Sequence, residues 1–128
     1  GVQTCALPIS LSSSSAVITI PESDQDAITA LSGSGPAYFF LMVEAMAEAG
    51  KNLGLNQDDA LKAAKEVLIG AAALVEKSGK DPKTLRENVT SPNGTTHAAL
   101  TTFSSEGFRE IVYRAMKAAQ ERSIELSQ

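Results

Sequence analysis

The chain has 128 residues, 43% of them hydrophobic and 20% charged, with a formal net charge of −4 at pH 7. That is enough for one globular domain with a real core and too little for a two-domain enzyme. The acidic balance and the scatter of Lys and Arg along helical stretches disfavour nucleic acid, whose phosphates need clustered cations. The single cysteine, Cys5, allows no disulfide framework and suits a reducing cytoplasm.

Residues 1–15 combine a short apolar piece with the run Ser12-Ser13-Ser14-Ser15 and lack the basic leader and long apolar stretch of a secretory signal. They read as a tail foreign to the domain. Without such a signal, the sequons at Asn88-Val89-Thr90 and Asn93-Gly94-Thr95 read as coincidence. Ala16-Val17-Ile18-Thr19-Ile20 is β-branched and stops at Pro21, which predicts a short extended segment, and one strand makes no sheet. Ser23 with Asp26 resembles a capping box that opens a short helix to about Leu31, broken by Ser32-Gly33-Ser34-Gly35-Pro36.

Pro36 then starts a second helix in which, from Ala37 to Ala49, Glu44 and Glu48 are the only ionisable side chains besides Tyr38. A helix apolar nearly all round must be buried nearly all round. One small chain can hardly wrap it, so a second chain is expected to cover part of it. The apolar run is also far short of the about 20 residues that span a bilayer.

After Lys51-Asn52-Leu53-Gly54, Asn56 caps a third helix running to about Lys77, with Leu61, Ala64, Leu68, Ala71 and Val75 at helical spacing. Asp81-Pro82 opens a short helix that should carry Leu85 and Val89 inward. A turn at Ser91–Thr96, a brief helix to Phe103, and a Ser-Ser-Glu-Gly corner follow. The last helix places Phe108, Ile111, Val112, Ala115 and Ala119 on its apolar side. The predicted fold class is all-α.

Four places invite a chemical reading. Gly33-Ser34-Gly35 could cradle a phosphate, but it lacks the Lys-Ser/Thr pair of a P-loop and the third glycine of the dinucleotide fingerprint, so a tight turn is the better reading. Glu44 and Glu48, one turn apart, could act as an acid-base pair but read more simply as a polar stripe. His97, the only histidine, could donate a proton; it has no Cys or acidic partner at metal-ligand spacing and reads as a helix-start residue. No metal site is expected.

The turn is different: Pro92 fixes φ, Asn93-Gly94 permits positive φ, and Thr95 or Thr96 can cap the next helix. Such a turn offers free N–H groups to a carboxylate or phosphate, or it simply joins two helices. The physics alone leaves both open.

The block Leu85-Arg86-Glu87-Asn88-Val89-Thr90-Ser91-Pro92-Asn93-Gly94-Thr95-Thr96, with Ala98-Ala99-Leu100 behind it, resembles the C-terminal signature of pyrroline-5-carboxylate reductases. Thr29-Ala30-Leu31-Ser32-Gly33-Ser34-Gly35-Pro36-Ala37-Tyr38 resembles the opening of that family's dimerisation domain. The similarity runs from about Ala16 to the C-terminus.

The resemblance implies a helical domain that interlocks with its twin, with dimers joining into rings in many members. It implies hydride transfer from NADPH or NADH to the C=N carbon of 1-pyrroline-5-carboxylate, giving L-proline. By matching position, the N–H groups of Gly94, Thr95 and Thr96 would hold the substrate carboxylate, the Thr96 hydroxyl would face the ring nitrogen as the catalytic contact, and Ser91 would shape the turn.

No glycine-rich dinucleotide-binding segment precedes Ala16 in these residues. The chain is therefore expected to be a reductase fragment that is inactive alone and binds no cofactor by itself. The alternative is a non-catalytic helical dimerisation module that binds proline-like carboxylates. The helical domain of another two-domain dehydrogenase fits the Ser91–Thr96 block less well.

Overall fold

The computed structural model describes residues 4–8 and 17–128; what the sequence suggests for Ala16 and for most of the leading tail lies outside the described residues. The chain divides into two compact units, one formed by residues up to Tyr38 together with Arg109–Gln128, the other by Phe39–Phe108.

In the first unit the expected extended segment is strand β2 (Val17–Pro21). The sequence suggested no partner for it, yet it pairs antiparallel with β1 (Thr4–Pro8), Cys5 facing Ile20 and Leu7 facing Ile18. Pro8 and Pro21 sit at the ends of their strands, where a missing N–H does least damage to the ladder. This ribbon precedes the helices and leaves the domain's all-α class unchanged.

Beyond Pro21 the chain is helical without a break: a 3₁₀ turn over Glu22–Asp24, helix α1 (Gln25–Ile28) and a π-helical turn over Thr29–Gly33. The expected capping box does not form. No side chain caps either short helix, and the Asp26 carboxylate accepts a 2.7 Å hydrogen bond from the Ser123 hydroxyl of the final helix. A long-range partner has replaced the local one.

The break expected over Ser32-Gly33-Ser34-Gly35-Pro36 falls at Ser34, and the chain stays helical through Ser32 and Gly33 by widening the turn. The Ser34 N–H reaches back five residues to the Thr29 carbonyl at 2.9 Å, and the Thr29 and Ser32 hydroxyls each donate to the carbonyl four residues back. The Tyr38 hydroxyl closes the arrangement by donating to the Ala30 carbonyl at 2.6 Å. Helix α6 (Phe108–Leu126) completes this unit; its ion pairs, Arg122 with Glu125 and Lys117 with Glu121, are solvent-exposed and contribute little.

The second unit holds most of α2 (Gly35–Asn52), then α3 (Gln57–Lys77), α4 (Pro82–Asn88) and α5 (Thr95–Ser105). Asn56 caps α3 as expected, its side-chain oxygen accepting from the N–H groups of Asp58 and Asp59 at 2.9 and 3.3 Å. Gly54, at φ 108, turns the chain between α2 and α3 in a conformation that side chains avoid.

The two helices meet at small residues. Ala60 and Ala64 are buried, and a Cβ on Gly50 would lie 3.2 Å from the Ala60 Cβ and 3.4 Å from the Leu55 Cδ1. Gly50→Val is therefore expected to lower stability by about 1–3 kcal/mol through overpacking, readable as a lower urea midpoint with unchanged slope.

At α4 the Asp81 carboxylate accepts from the Thr84 N–H at 2.8 Å, and this bond holds its pKa below the ordinary 3.8. The cap is thus in force at neutral pH and is lost as pH falls through the carboxylate range. Leu85 is half-buried, but Val89, expected inward, is 65% exposed. Helix α4 ends at Asn88, and Val89 at φ −104, ψ 11 has left the helix face that would have carried it in.

Helix α5 runs to Ser105, so the corner before α6 is shorter than the sequence suggested. Gly107 makes it at φ 77, and Phe103 and Phe108 meet edge to face with ring centroids 5.2 Å apart.

Among the described residues the buried apolar side chains are Ala30, Ala60 and Ala64. Helix α2 covers only one side of itself within the chain, through Met42, Val43, Ala47 and Gly50, while Phe39, Phe40 and Leu41 stand 59 to 64% exposed. The apolar faces read from α3 and α6 are only partly covered: Ala64 is buried and Leu68 and Ala119 are half-buried, while Leu61, Val75, Ile111 and Val112 are exposed.

Candidate functional site

The segment between α4 and α5 is tied down from both sides. The Thr90 hydroxyl donates to the Arg86 carbonyl, and the Gly94 N–H donates to the Ser91 carbonyl at 3.0 Å, closing a turn over Pro92 and Asn93. The positive φ falls on Asn93, at 59°, where asparagine is among the few side chains that tolerate it. Gly94 itself is extended, at φ −85 and ψ −175. Its need for glycine is one of space, since a Cβ there would lie 3.2 Å from the Ser91 oxygen and 3.3 Å from the Ser91 Cβ.

Gly94 is also the N-cap of α5, so neither Thr95 nor Thr96 caps the helix as the sequence suggested; both are already inside it, and no side chain caps it. The first intrahelical bond runs from the Ala98 N–H to the Gly94 carbonyl. The N–H groups of Thr95, Thr96 and His97 therefore lie ahead of the ladder, at the positive end of the helix dipole. The Gly94 N–H, committed to Ser91, is not among these donors.

Thr101 and Thr102 turn their hydroxyls back to carbonyls of α5, whereas Thr95 and Thr96 make no such bond among the described residues. Ser91 and Thr95 are exposed, and Gly94 and Thr96 are half-buried. The turn thus gathers Ser91, Gly94, Thr95, Thr96 and His97 into one small surface that offers the hydroxyls of Ser91, Thr95 and Thr96 and the N–H groups of Thr95, Thr96 and His97, none of them bonded among the described residues. Donors so arranged can hold a carboxylate without a charged side chain.

A model of pyrroline-5-carboxylate reductase dimerisation matches residues 22–126. The chain belongs to that family. A pyrroline-5-carboxylate reductase of Pseudomonas aeruginosa is 48% identical over 107 residues, which are 84% of this chain and 39% of that protein. One from Arabidopsis thaliana is 48% identical over 103 residues, covering 80% and 37% of the respective chains.

Among solved structures, the Plasmodium falciparum pyrroline carboxylate reductase with NADP bound superposes with a TM-score of 0.80 at 33% identity, over 85% of this chain and 44% of that one. The Coxiella burnetii reductase gives 0.79 at 41% identity, over 84% and 40%. The chain thus spans about two fifths of the length of the relatives it matches.

The other candidate residues gather no chemistry. Gly33 and Gly35 lie in the π-helical turn and at the start of α2, with the Ser34 N–H between them already bonded to Thr29. Glu44 and Glu48 are exposed on α2, consistent with a polar stripe. His97 stands in the first turn of α5 and contributes a backbone donor that its residue type did not advertise. Among the described residues no helix is long and apolar enough to cross a membrane, and no cluster of His, Cys, Asp and Glu could hold a metal ion.

Gly94→Ala tests the turn directly. Its methyl must push Ser91 away, so in a complete reductase the expected result is a KM for substrate raised roughly tenfold with little loss of thermal stability. An unchanged KM would show that the Ser91–Gly94 approach does not matter.

Proposed function

We propose that this chain is the dimer-forming, substrate-binding C-terminal domain of an NAD(P)H-dependent reductase that converts 1-pyrroline-5-carboxylate to L-proline in proline biosynthesis. The observation that carries the reading is the uncapped start of α5 beneath the tight Ser91–Gly94 turn, in a chain of the pyrroline-5-carboxylate reductase family. The N–H groups of Thr95 and Thr96 hold the substrate carboxylate, which fixes the ring relative to the Thr96 hydroxyl. That hydroxyl then faces the ring nitrogen. Ser91 and Gly94 keep the donors converging by their close approach.

A protonated cyclic imine already accepts hydride, so the domain needs to position it more than to acidify it, and neither His97 nor the glutamates are assigned a proton. The nicotinamide cofactor, NADPH or NADH, supplies the hydride to the C=N carbon. The NADP in the Plasmodium falciparum neighbour supports that cofactor class for the complete enzyme. The residues of this chain do not fit its pyrophosphate, because the Gly33-Ser34-Gly35 segment spends its backbone on helical bonds and leaves no anion cradle. Cofactor binding is therefore assigned to another part of a complete reductase, and the 128 residues alone are expected to be inactive.

The partner is a second copy of the chain, supported by Phe39, Phe40 and Leu41 standing open on a helix that one chain covers on one side only. Further association of dimers into rings follows the resemblance. The lone cysteine, which can form no disulfide within the chain, supports the reading of a cytoplasmic location.

Titrating L-proline into the isotopically labelled chain tests the site. The amide resonances of Thr95, Thr96 and His97 should move most; shifts elsewhere with these three unmoved would remove the turn from substrate binding. In a parallel assay, reduction of 1-pyrroline-5-carboxylate by the 128 residues with NADPH would overturn the assigned division of labour.

A further inference from the structure

We propose that Asn93 is a site of spontaneous deamidation and that the turn around it sets the rate. The chain has four asparagines, followed by Leu53, Gln57, Val89 and Gly94. Deamidation begins when the backbone nitrogen of the next residue attacks the side-chain carbonyl carbon, and a side chain on that next residue obstructs the approach. Only Asn93 is followed by glycine. Its carboxamide is exposed and makes no hydrogen bond among the described residues, whereas the Asn56 oxygen is held by two N–H groups.

The fold opposes the reaction at one point. The attacking nitrogen is that of Gly94, and its N–H donates to the Ser91 carbonyl at 3.0 Å. While the turn is closed that nitrogen is occupied; each opening of the turn frees it. When it attacks, a bond forms between the Gly94 nitrogen and the Asn93 Cγ, the Cγ bond to the amide nitrogen breaks, and ammonia leaves with the proton lost from Gly94. Water then opens the cyclic imide at either carbonyl. One product is aspartate at position 93; the other is isoaspartate, which routes the backbone through Cβ and lengthens the turn by one methylene.

Both products place a carboxylate beside the donors of Thr95 and Thr96. This consequence rests on the carboxylate-site reading of the turn; the modification itself does not. A carboxylate ligand seated on those donors holds the turn closed and slows the damage, so the idle enzyme ages faster than the working one.

The 128-residue chain is incubated at mildly alkaline pH with and without urea and followed by peptide mass mapping. The mass gain should be confined to the peptide carrying Asn93, appear as separable aspartate and isoaspartate forms, and proceed at least about tenfold faster in urea. Survival of the Asn93 amide in urea, or equal conversion at Asn88, would overturn the site. Equal rates with and without urea would overturn the gating.

In a complete reductase, Asn93→Asp should raise the KM for 1-pyrroline-5-carboxylate about tenfold or more through like-charge repulsion, with the unfolding temperature unchanged because aspartate also tolerates this backbone. If deamidation maps to Asn93 while Asn93→Asp leaves KM unaltered, the modification stands and the carboxylate reading of the turn falls.

Discussion

Replacing Thr96 by alanine in a complete reductase that carries this domain lowers kcat/KM by about 1.5 to 3 kcal/mol, the worth of a hydrogen bond to a charged group. Thr96 is the second residue of α5, half-buried, with a hydroxyl that makes no bond back to a carbonyl among the described residues. Thr101 and Thr102 do spend their hydroxyls that way, so the Thr96 hydroxyl, like that of Thr95, is left free to meet a ligand. Alanine is a better helix former than threonine, so the variant keeps α5, and the loss is one of chemistry rather than folding. Thr96→Ser, which restores the hydroxyl, recovers most of the rate. Kinetics indistinguishable from those of the unaltered enzyme would remove Thr96 from the mechanism.

The second large effect is expected at the open side of α2. Phe40 is 63% exposed beside Phe39 and Leu41, and burying one such ring is worth about 1.5–3 kcal/mol. In a symmetric dimer the same position is met twice, so Phe40→Glu removes roughly double that and adds the cost of desolvating a charge. Sedimentation should show the altered chain dissociated at micromolar concentration, with its helical content reduced. A well-folded monomer of the unaltered chain at the same concentration would defeat the argument, because it would mean that so small a set of buried alanines suffices.

Most of the fold was legible because its signals are local. The N-caps at Asn56 and Asp81, Pro36 and Pro82 in first turns, and the glycines that end helices all act within a few residues of themselves. The errors share the opposite property. The capping box at Ser23 and Asp26 failed because Asp26 found Ser123, and the break expected over Ser32-Gly33-Ser34-Gly35-Pro36 comes only at Ser34 because the Tyr38 hydroxyl and two local hydroxyls satisfy a widened helical turn. No spacing rule in the sequence shows such bonds.

Of the apolar residues read along α3 and α6, the chain buries Ala64 and half-buries Leu68 and Ala119, and leaves Leu61, Val75, Ile111 and Val112 exposed; periodicity cannot say whether cover comes from the same chain or from another. In the turn, pattern pointed to the candidate site and geometry refined its description. The sequence left the positive φ open between Asn93 and Gly94; Asn93 carries it, and Gly94 serves by having no side chain to strike Ser91. The donor at His97 is a backbone group, which no residue type signals.

The hydrogen bond between Asp26 and Ser123 joins residues 97 apart in the chain. On a ribosome the segment that includes α1 emerges early, with neither a side-chain cap nor its distant partner available, and the bond that holds it can form only once the last turns of α6 have been released. The first helix of the domain is therefore among the last to be secured. Nascent chains stalled before Ser123 should leave their N-terminal helices open to proteases and chaperones, although nearly all of the domain has by then been made.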